Sequence, residues 1–216
     1  RLYCPTETAC RNLAAEGITK GVMTSGDIML DVAMHFGDLA RNNSNIMNRL
    51  ELRPNSFVLS TIHRAENTDV PERITEIFEA LAFISRDVPV VLPLHPRTRK
   101  IAAQLGLIDY LTNLILVEPL PFWDMLVLQQ QAQTIITDSG GLQKEAYFNK
   151  KPCVTIRDET EWVETLEDGW NRLVVAEKAA IIQAYQAAVP PVAPQKPNYG
   201  TGSTAKFIID DLLGAF

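Results

Sequence analysis

Short apolar runs alternate with longer amphipathic stretches between residues 51 and 189. Several apolar runs consist almost entirely of β-branched residues, as in parallel strands that are buried on both faces. They predict strands at residues 56–62, 88–94, 114–118, 133–138, 152–156 and 172–175. The amphipathic stretches predict helices at 71–86, 97–105, 121–131, 140–149 and 177–188. This alternation is typical of an α/β fold with a Rossmann-like parallel sheet and helices on both faces.

The two ends of the chain do not follow this alternation. The first 50 residues predict a helix near 6–16, a short strand near 21–24 and a helix near 27–48. The proline-rich stretch VPPVAPQKPNYGTG predicts a linker, and a last helix follows it at about 203–213. We therefore expect three parts: residues 1–50, a domain at 51–190, and a linker with a helix at 191–216.

Composition narrows the class of protein. The chain has 216 residues, of which 46% are hydrophobic and 21% charged, as in globular proteins. A net charge of −6 argues against a nucleic-acid partner, and no apolar run is long enough to cross a membrane. The three cysteines follow no metal-binding spacing, which favours reduced thiols and a cytoplasmic protein. The opening RLYCPTET lacks a methionine and a signal peptide, so we expect an interior start.

The clearest candidate chemistry is the run TDSGG, which follows the strand at 133–138. Ligands of open parallel sheets bind beyond the carboxyl ends of the strands. Gly140 and Gly141 would let a phosphate approach the free amides of a helix start. Glu145, one turn further on, could accept hydrogen bonds from ribose hydroxyls. The alternatives are a tight turn capped by Ser139 or its preceding aspartate, and a glutamate that only complements the helix dipole.

A second candidate is STIHRAEN, directly after the strand at 56–62. His63 can give or take a proton near neutral pH. Arg64 offers a planar cation to a phosphate. The alternative is a surface loop in which Asn67 or Thr68 caps the next helix.

Two further strand ends carry polar residues. In TIRDETEW, Arg157 could meet a pyrophosphate, although the acidic residues beside it are more typical of a solvated face. In PLHPRT, His95 is either a ligand contact or the residue that starts a helix before Pro96.

Taken together and in this order, HRAEN, HPRT, TDSGGLQKEA and RDETEW resemble the non-hydrolysing UDP-N-acetylglucosamine 2-epimerases. The resemblance extends over nearly the whole chain, from CPTETACRNLAAEGI to YGTGSTA. HRAENTD and RDETEWVETLEDGWN are most similar to the branch that acts on UDP-2,3-diacetamido-2,3-dideoxy-glucuronate.

The resemblance implies a two-domain architecture of the glycosyltransferase-B type. This chain would supply the end of the first domain, the whole second domain and the helix that crosses back. The implied reaction inverts C2 of a UDP-N-acetylhexosamine, such as UDP-GlcNAc to UDP-ManNAc or a diacetamido-uronate analogue, for polysaccharide synthesis. UDP leaves and then adds back. The carboxylates that move the C2 proton belong to the N-terminal domain, so we expect this chain alone to be inactive. The implied partners are a UDP-sugar, the N-terminal domain of the same polypeptide and a second copy in a homodimer, with no cofactor and no metal.

The resemblance also implies roles for particular residues. His63 takes the catalytic position, and His95 lies at a position associated with a second, allosteric site. The implied UDP contacts are Arg64, Leu120, Met125, Ser139, Gly140, Gly141, Glu145 and Arg157. Some relatives have phenylalanine at position 125, so Met125 implies either a backbone contact or a general apolar contact with uracil, and not a stacked ring. Phe122 falls out of register with that position.

Two other functions remain open at this point. A glycosyltransferase of the same architecture would also bind UDP beyond parallel strands, although HRAEN together with RDETEW argues against it. A regulatory module that binds a nucleotide sugar without turning it over would need only the UDP-binding half.

Overall fold

A computed structural model describes residues 1–214 of the chain. Two compact units are present, one made of residues 1–39 with the chain from 195 onwards, and the other of Ala40–Pro194. The first 50 residues form β1 (Leu2–Cys4), α1 (Glu7–Ala15), β2 (Val22–Thr24), α2 (Ile28–Asn43) and α3 (Ile46–Arg49). β1 pairs in parallel with β2. The short strand predicted near 21–24 is β2, whereas β1 was not predicted.

The single helix predicted near 27–48 is wrong, because α2 ends at Asn43 and α3 begins at Ile46. The break falls in the run NNSN, whose short polar side chains compete with the helical backbone for hydrogen bonds. The Ser44 hydroxyl accepts a hydrogen bond from the backbone N–H of Ile46 at 3.2 Å. It also donates to the carboxylate of Asp124 at 2.5 Å. The side chain of Ser44 thus accepts the hydrogen bond that the N–H of Ile46 would donate to a backbone carbonyl in a continuous helix.

The larger unit contains a six-stranded sheet in which every pair is parallel. Its strands are β3 (Val58–Thr61), β4 (Val90–Pro93), β5 (Ile115–Val117), β6 (Thr134–Thr137), β7 (Cys153–Ile156) and β8 (Asn171–Val174). Each lies inside a predicted strand except β8, which begins one residue earlier. The spatial order is β5-β4-β3-β6-β7-β8, which is the order of a doubly wound nucleotide-binding sheet. The predicted fold class, with the glycosyltransferase-B type of domain, is confirmed.

Helices connect the strands. They are α4 (Ala65–Thr68), α5 (Pro71–Ile84), α6 (Pro96–Gln104), α7 (Ile108–Leu111), α8 (Phe122–Gln131), α9 (Gly140–Phe148), α10 (Val163–Glu167) and α11 (Lys178–Ala187). The five longer helices were predicted. The shorter α4, α7 and α10 were not, because four or five residues show no helical periodicity. The capping of the helix at 71 by Asn67 or Thr68 is wrong: both residues belong to α4, and Val70 precedes Pro71 at the first position of α5.

The main hydrophobic core lies on one face of the sheet. There α5 and α11 pack together over side chains of the central strands, including Val58, Ile136 and Val154. The alternate residues Leu59 and Ile135 are also fully buried but lie outside this cluster, as expected where both faces are covered. Burial of each such side chain contributes about 1.5–3 kcal/mol. This rigid double-sided packing fixes where the strands end, and therefore where the loops begin.

The proline-rich stretch from 189 to 202 contains no helix or strand, and α12 (Thr204–Leu212) follows it. The carboxylate of Asp31 accepts hydrogen bonds from the first backbone N–H groups of α12, at 3.1 Å for Thr204 and 2.7 Å for Ala205. In residues 1–214, none of the helices combines the length and the apolar character needed to cross a bilayer.

Candidate functional site

The strand order creates a crevice between β3 and β6. The chain leaves β3 towards β4 and β5 on one side, and leaves β6 towards β7 and β8 on the other. The loops after two such strands diverge, and ligands of open α/β sheets bind in the gap between them. β3 and β6 are paired from Val58 with Thr134 to Thr61 with Thr137, so their carboxyl ends are level. The sequence HRAEN follows one end and DSGG follows the other.

Asp138 ties these two ends together. Its carboxylate is fully buried and accepts hydrogen bonds from the backbone N–H of His63 at 3.1 Å to each oxygen. It also accepts from the backbone N–H of Arg64 at 2.9 Å and from the amide of Asn67 at 3.2 Å. Asn67 in turn donates to the carbonyl of Ile156 on β7 at 3.0 Å. One carboxylate therefore fixes the turn after β3 to the end of β6.

His63 lies at the mouth of the crevice. Its Nδ1 is 3.6 Å from a carboxylate oxygen of Asp138, and half of its side chain is exposed. That distance is too long for a hydrogen bond but suits an ion pair when the ring is protonated. The ring thus has one edge towards a buried carboxylate, while His63 lines a cavity with its exposed part.

α9 begins at the same place. Ser139 is its N-cap, with the hydroxyl accepting a hydrogen bond from the N–H of Leu142 at 3.4 Å. The expected cap is therefore present, and Ser139 also lines the cavity. The N–H groups of a helix's first turn have no partner within the helix and favour an anion. Gly140 has no side chain above this turn, and two guanidinium groups border the position that a side chain would take. A Cβ placed on Gly140 would lie 3.4 Å from a guanidinium nitrogen of Arg64 and 3.9 Å from one of Arg157.

The guanidinium group of Arg157 is held by two carboxylates. Its side chain is only 7% exposed and donates to Glu161 at 2.8 Å and to Glu66 at 3.2 Å. The hydrogen bond and charge of Glu161 raise the pKa of Arg157, with a smaller contribution from Glu66. The same hydrogen bond lowers the pKa of Glu161. The acidic residues after Arg157 are thus partly structural, and they hold its guanidinium near the start of α9.

A cavity of about 430 Å³ occupies the crevice. Seven of the residues assigned from the sequence line it: His63, His95, Leu120, Met125, Ser139, Gly141 and Glu145. The other three, Arg64, Gly140 and Arg157, come together beside it at the start of α9. Phe122, which was judged out of register, lines a smaller adjoining cavity together with Met125, Gln129 and Glu145.

Glu145 is the acidic group of the cavity. Gln129 on α8 donates a hydrogen bond to its carboxylate at 2.8 Å. Burial raises the pKa of Glu145, and the hydrogen bond from Gln129 opposes this to a smaller extent. The carboxylate of Glu145 is thus a hydrogen-bond acceptor whose position is fixed by Gln129. It lines the same cavity as Met125 and Leu120.

His95 starts a helix, as one of its two sequence interpretations expects, while its role as a ligand contact stays a prediction. It is the N-cap of α6, and its Nδ1 accepts a hydrogen bond from the N–H of Arg97 at 3.2 Å. It also lines the cavity.

The sequence analysis considered Asp138 only as a possible cap and missed its anchoring role, and it did not consider Gln129. An aspartate that ends a buried strand just before two glycines is a usable signal for Asp138. Gln129 is the first of three consecutive glutamines at the end of α8, so the sequence gives no signal that singles it out. As for metals, residues 1–214 contain no group of three His, Cys, Asp or Glu side chains placed to hold an ion.

Comparison with known proteins gives one family. The family model described as UDP-N-acetylglucosamine 2-epimerase matches residues 1–213. A UDP-N-acetylglucosamine 2-epimerase homolog of Methanococcus maripaludis is 40% identical over 215 residues, which is 98% of this chain and 60% of that protein. The UDP-2,3-diacetamido-2,3-dideoxy-D-glucuronate 2-epimerase of Pseudomonas aeruginosa is 42% identical over 192 residues, which is 87% of this chain and 52% of that protein. The chain thus spans only about half to three fifths of these relatives.

Solved structures agree with this result. The Methanocaldococcus jannaschii UDP-GlcNAc 2-epimerase, in complex with UDP-GlcNAc and UDP, matches with a TM-score of 0.89 and 33% identity. The match covers 99% of this chain and 60% of that one. The wall teichoic acid polymerase TagF matches with a TM-score of 0.57 and 13% identity, which shows a shared fold and nothing further.

Proposed function

The chain belongs to the UDP-N-acetylglucosamine 2-epimerase family, and we propose that it supplies the UDP-binding half of a nucleotide-sugar 2-epimerase. The observation that carries this proposal is the start of α9 at the crevice between β3 and β6, with Glu145 in the same cavity. The bounds predicted for the UDP-binding domain, residues 51–190, fall within the unit Ala40–Pro194.

The pyrophosphate of UDP binds at Ser139, Gly140 and Gly141. Amides of a helix start offer hydrogen bonds and a favourable dipole to an anion. Arg64 and Arg157 add two guanidinium groups close to Gly140. Guanidinium groups suit a diphosphate because they donate several hydrogen bonds in a fixed geometry, and that of Arg157 is held in place by two carboxylates, although the chain as a whole is acidic.

The nucleoside lies deeper in the cavity. Glu145 accepts hydrogen bonds from the ribose hydroxyls, and Gln129 holds its carboxylate in place. Leu120 and Met125 form the apolar surface for uracil. Binding of a hydroxyl donor favours the ionised carboxylate, which partly reverses the effect of burial on its pKa.

The reaction proceeds by elimination and addition. A base removes the C2 proton, and the C1–O bond breaks with its electron pair moving to the UDP oxygen. The resulting glycal is protonated at C2 from the other face, and the UDP oxygen attacks C1 again. Atoms and charge are thereby restored, and only the C2 configuration changes.

His63 assists the departure of UDP. It stands beside the anion site with Asp138 behind its Nδ1, so a protonated ring donates to the leaving oxygen. Negative charge develops on that oxygen only as the C1–O bond breaks, and a donor placed there favours the transition state. His95, across the cavity, is the candidate for a second ligand site.

The base for C2 belongs to an N-terminal domain of the same polypeptide in this proposal. The sugar is a UDP-N-acetylhexosamine or its diacetamido-uronate analogue, since relatives of both kinds are similar to this chain. We further propose a homodimer in the cytoplasm. The three free cysteines, two of them buried, support a reducing compartment.

Incubation of the full-length enzyme with UDP-GlcNAc in deuterated water tests the function. An epimerase incorporates deuterium at C2 in both the substrate and its epimer. Release of UDP without C2 exchange, seen only when an acceptor is added, would instead favour a glycosyltransferase. Recovery of both UDP-GlcNAc and its diacetamido-uronate analogue unchanged and unlabelled, with and without an acceptor, would favour a binding module.

A further inference from the structure

Three N–H-bearing groups converge over Gly140. A Cβ placed on this glycine would lie 3.4 Å from Nη2 of Arg64, 3.4 Å from Nε1 of Trp162 and 3.9 Å from Nη1 of Arg157. The two arginines come from the turns after β3 and β7. Trp162 comes from the end of the second of these turns, where it precedes α10.

The indole ring of Trp162 is held from α9. The ammonium group of Lys144 lies 4.0 Å from the centre of the ring, which is the geometry of a cation–π contact. Lys144 is 6% exposed and follows Gly140 by one helical turn. The ring and the anion site are therefore attached to the same helix.

The backbone of Trp162 is held as well. Its N–H donates to the hydroxyl of Thr160 at 3.1 Å, and that hydroxyl donates to Gln143 of α9 at 2.6 Å. Its carbonyl accepts from the hydroxyl of Thr165 at 2.7 Å. Side chain and backbone are thus both positioned, which reduces the entropy lost when the indole meets a ligand.

We propose that the indole N–H of Trp162 is a further donor to the pyrophosphate of UDP, positioned by Lys144. An indole nitrogen can only donate, and it adds no charge. Together with the two guanidinium groups and the helix amides, it completes a ring of donors around the oxygens of a diphosphate. This inference rests on the proposed UDP binding.

The test is a titration of the chain with UDP and with uridine, which lacks the phosphates. Trp162→Phe keeps an aromatic ring above Lys144 and removes the N–H. We expect it to bind UDP about 30-fold more weakly, within the usual range for a hydrogen bond to a charged group. Uridine affinity should stay the same, which also shows that the variant is folded.

Trp170→Phe is the matched control. Trp170 lies in the same unit, is buried, and its indole nitrogen has no hydrogen-bond partner in residues 1–214. Unlike Trp162, it is not among the side chains that converge over Gly140. Removal of this N–H should leave UDP affinity unchanged.

Lys144→Met is the second variant, because it releases the ring but keeps the N–H. We expect UDP to bind about threefold more weakly, within the usual range for a cation–π contact. Combined with Trp162→Phe, it should add no further loss. Additive losses would overturn the positioning role of Lys144.

The titrations distinguish a failure of the proposed function from a failure of the role of Trp162. If the wild-type chain does not bind UDP, the proposed function itself fails, and this inference fails with it. If the wild type binds UDP and Trp162→Phe binds it equally well, only the role of Trp162 is overturned. Equal losses for UDP and uridine would also overturn it, because the ring would then act on the nucleoside or on the fold.

Discussion

Both carboxylate oxygens of Asp138 lie 3.1 Å from the backbone nitrogen of His63, and one of them lies 3.6 Å from Nδ1 of the same residue. The buried aspartate that directly follows β6 therefore sets both the backbone and the ring position of the histidine that follows β3. The crevice depends on this link, because the two loops come from strands more than 70 residues apart in sequence.

Asp138→Asn should therefore weaken both the fold and the site. An amide oxygen accepts only two hydrogen bonds, so at least one of the three N–H donors from His63, Arg64 and Asn67 is left unsatisfied, at a cost of about 1–3 kcal/mol. For a chain of this size the melting temperature should fall by about 2–4 °C per kcal/mol. UDP affinity should fall as well, because the turn that carries His63 and Arg64 loses its anchor.

Asp158→Asn is the matched control for Asp138→Asn. Asp158 pairs with Arg73 at the surface and is 63% exposed, so its loss should cost at most about 1 kcal/mol. Equal melting temperatures for the two variants would contradict the role of Asp138 as the anchor of the crevice.

Glu145→Gln should weaken UDP binding by roughly 1–3 kcal/mol, because it removes a charge-assisted hydrogen bond to ribose. It should weaken 2′,3′-dideoxy-UDP much less, since that ligand lacks both hydroxyls. Calorimetric titration of the two ligands measures the difference. Glu167→Gln, at an exposed position of α10, controls for the loss of one negative charge. If both ligands lose equally, Glu145 acts through the helix and not through ribose.

Glu145 also predicts a pH dependence of stability. Burial raises its pKa in the folded chain above the ordinary carboxyl value of about 4.3. Between these two pKa values the folded state binds more protons than the unfolded state, so stability falls as pH rises. The contribution of the protonated carboxyl is full below the ordinary pKa and is lost as pH rises through the raised one.

Chemical unfolding of the wild type and of Glu145→Gln across this pH range measures the effect. The stability of the wild type relative to the variant should decrease with rising pH. A difference that does not change with pH, or that changes in the opposite direction, would show that the pKa of Glu145 is not raised in the folded chain.

His63→Ala in the full-length enzyme should lower kcat by about 10²-fold or more, the usual effect of a positioned acid–base group. UDP affinity should fall far less, because the interaction strengthens only as the leaving oxygen gains charge. The melting temperature should hardly change, since half of the side chain is exposed and α5 begins at Pro71 without it. A lower melting temperature with an unchanged kcat per folded molecule would indicate a structural histidine.

The strands and the longer helices could be predicted from the sequence because their signals are local. Runs such as QTIITD are buried on both faces, and few other structures accept so many adjacent β-branched residues. The motif SGG with Glu145 one turn later could be predicted for the same reason. Cap, glycines and glutamate all lie within a single helix.

The remaining features depend on contacts between distant residues. The strand order depends on which strands pair with each other, and the sequence of a single strand does not specify its neighbours in the sheet. Asp138 and Gln129 matter through partners on other elements, which a single sequence does not identify. The break at Ser44 was missed because the apolar spacing continues across it, while the partner of its hydroxyl, Asp124, lies 80 residues away.

A crystal structure of the chain with bound UDP tests the central claim most directly. The account predicts pyrophosphate oxygens within hydrogen-bond distance of the backbone N–H groups of Gly140 and Gly141. It also predicts the ribose hydroxyls at the carboxylate of Glu145 and uracil against Met125. UDP bound in the reverse orientation, or outside the crevice between β3 and β6, would contradict the account.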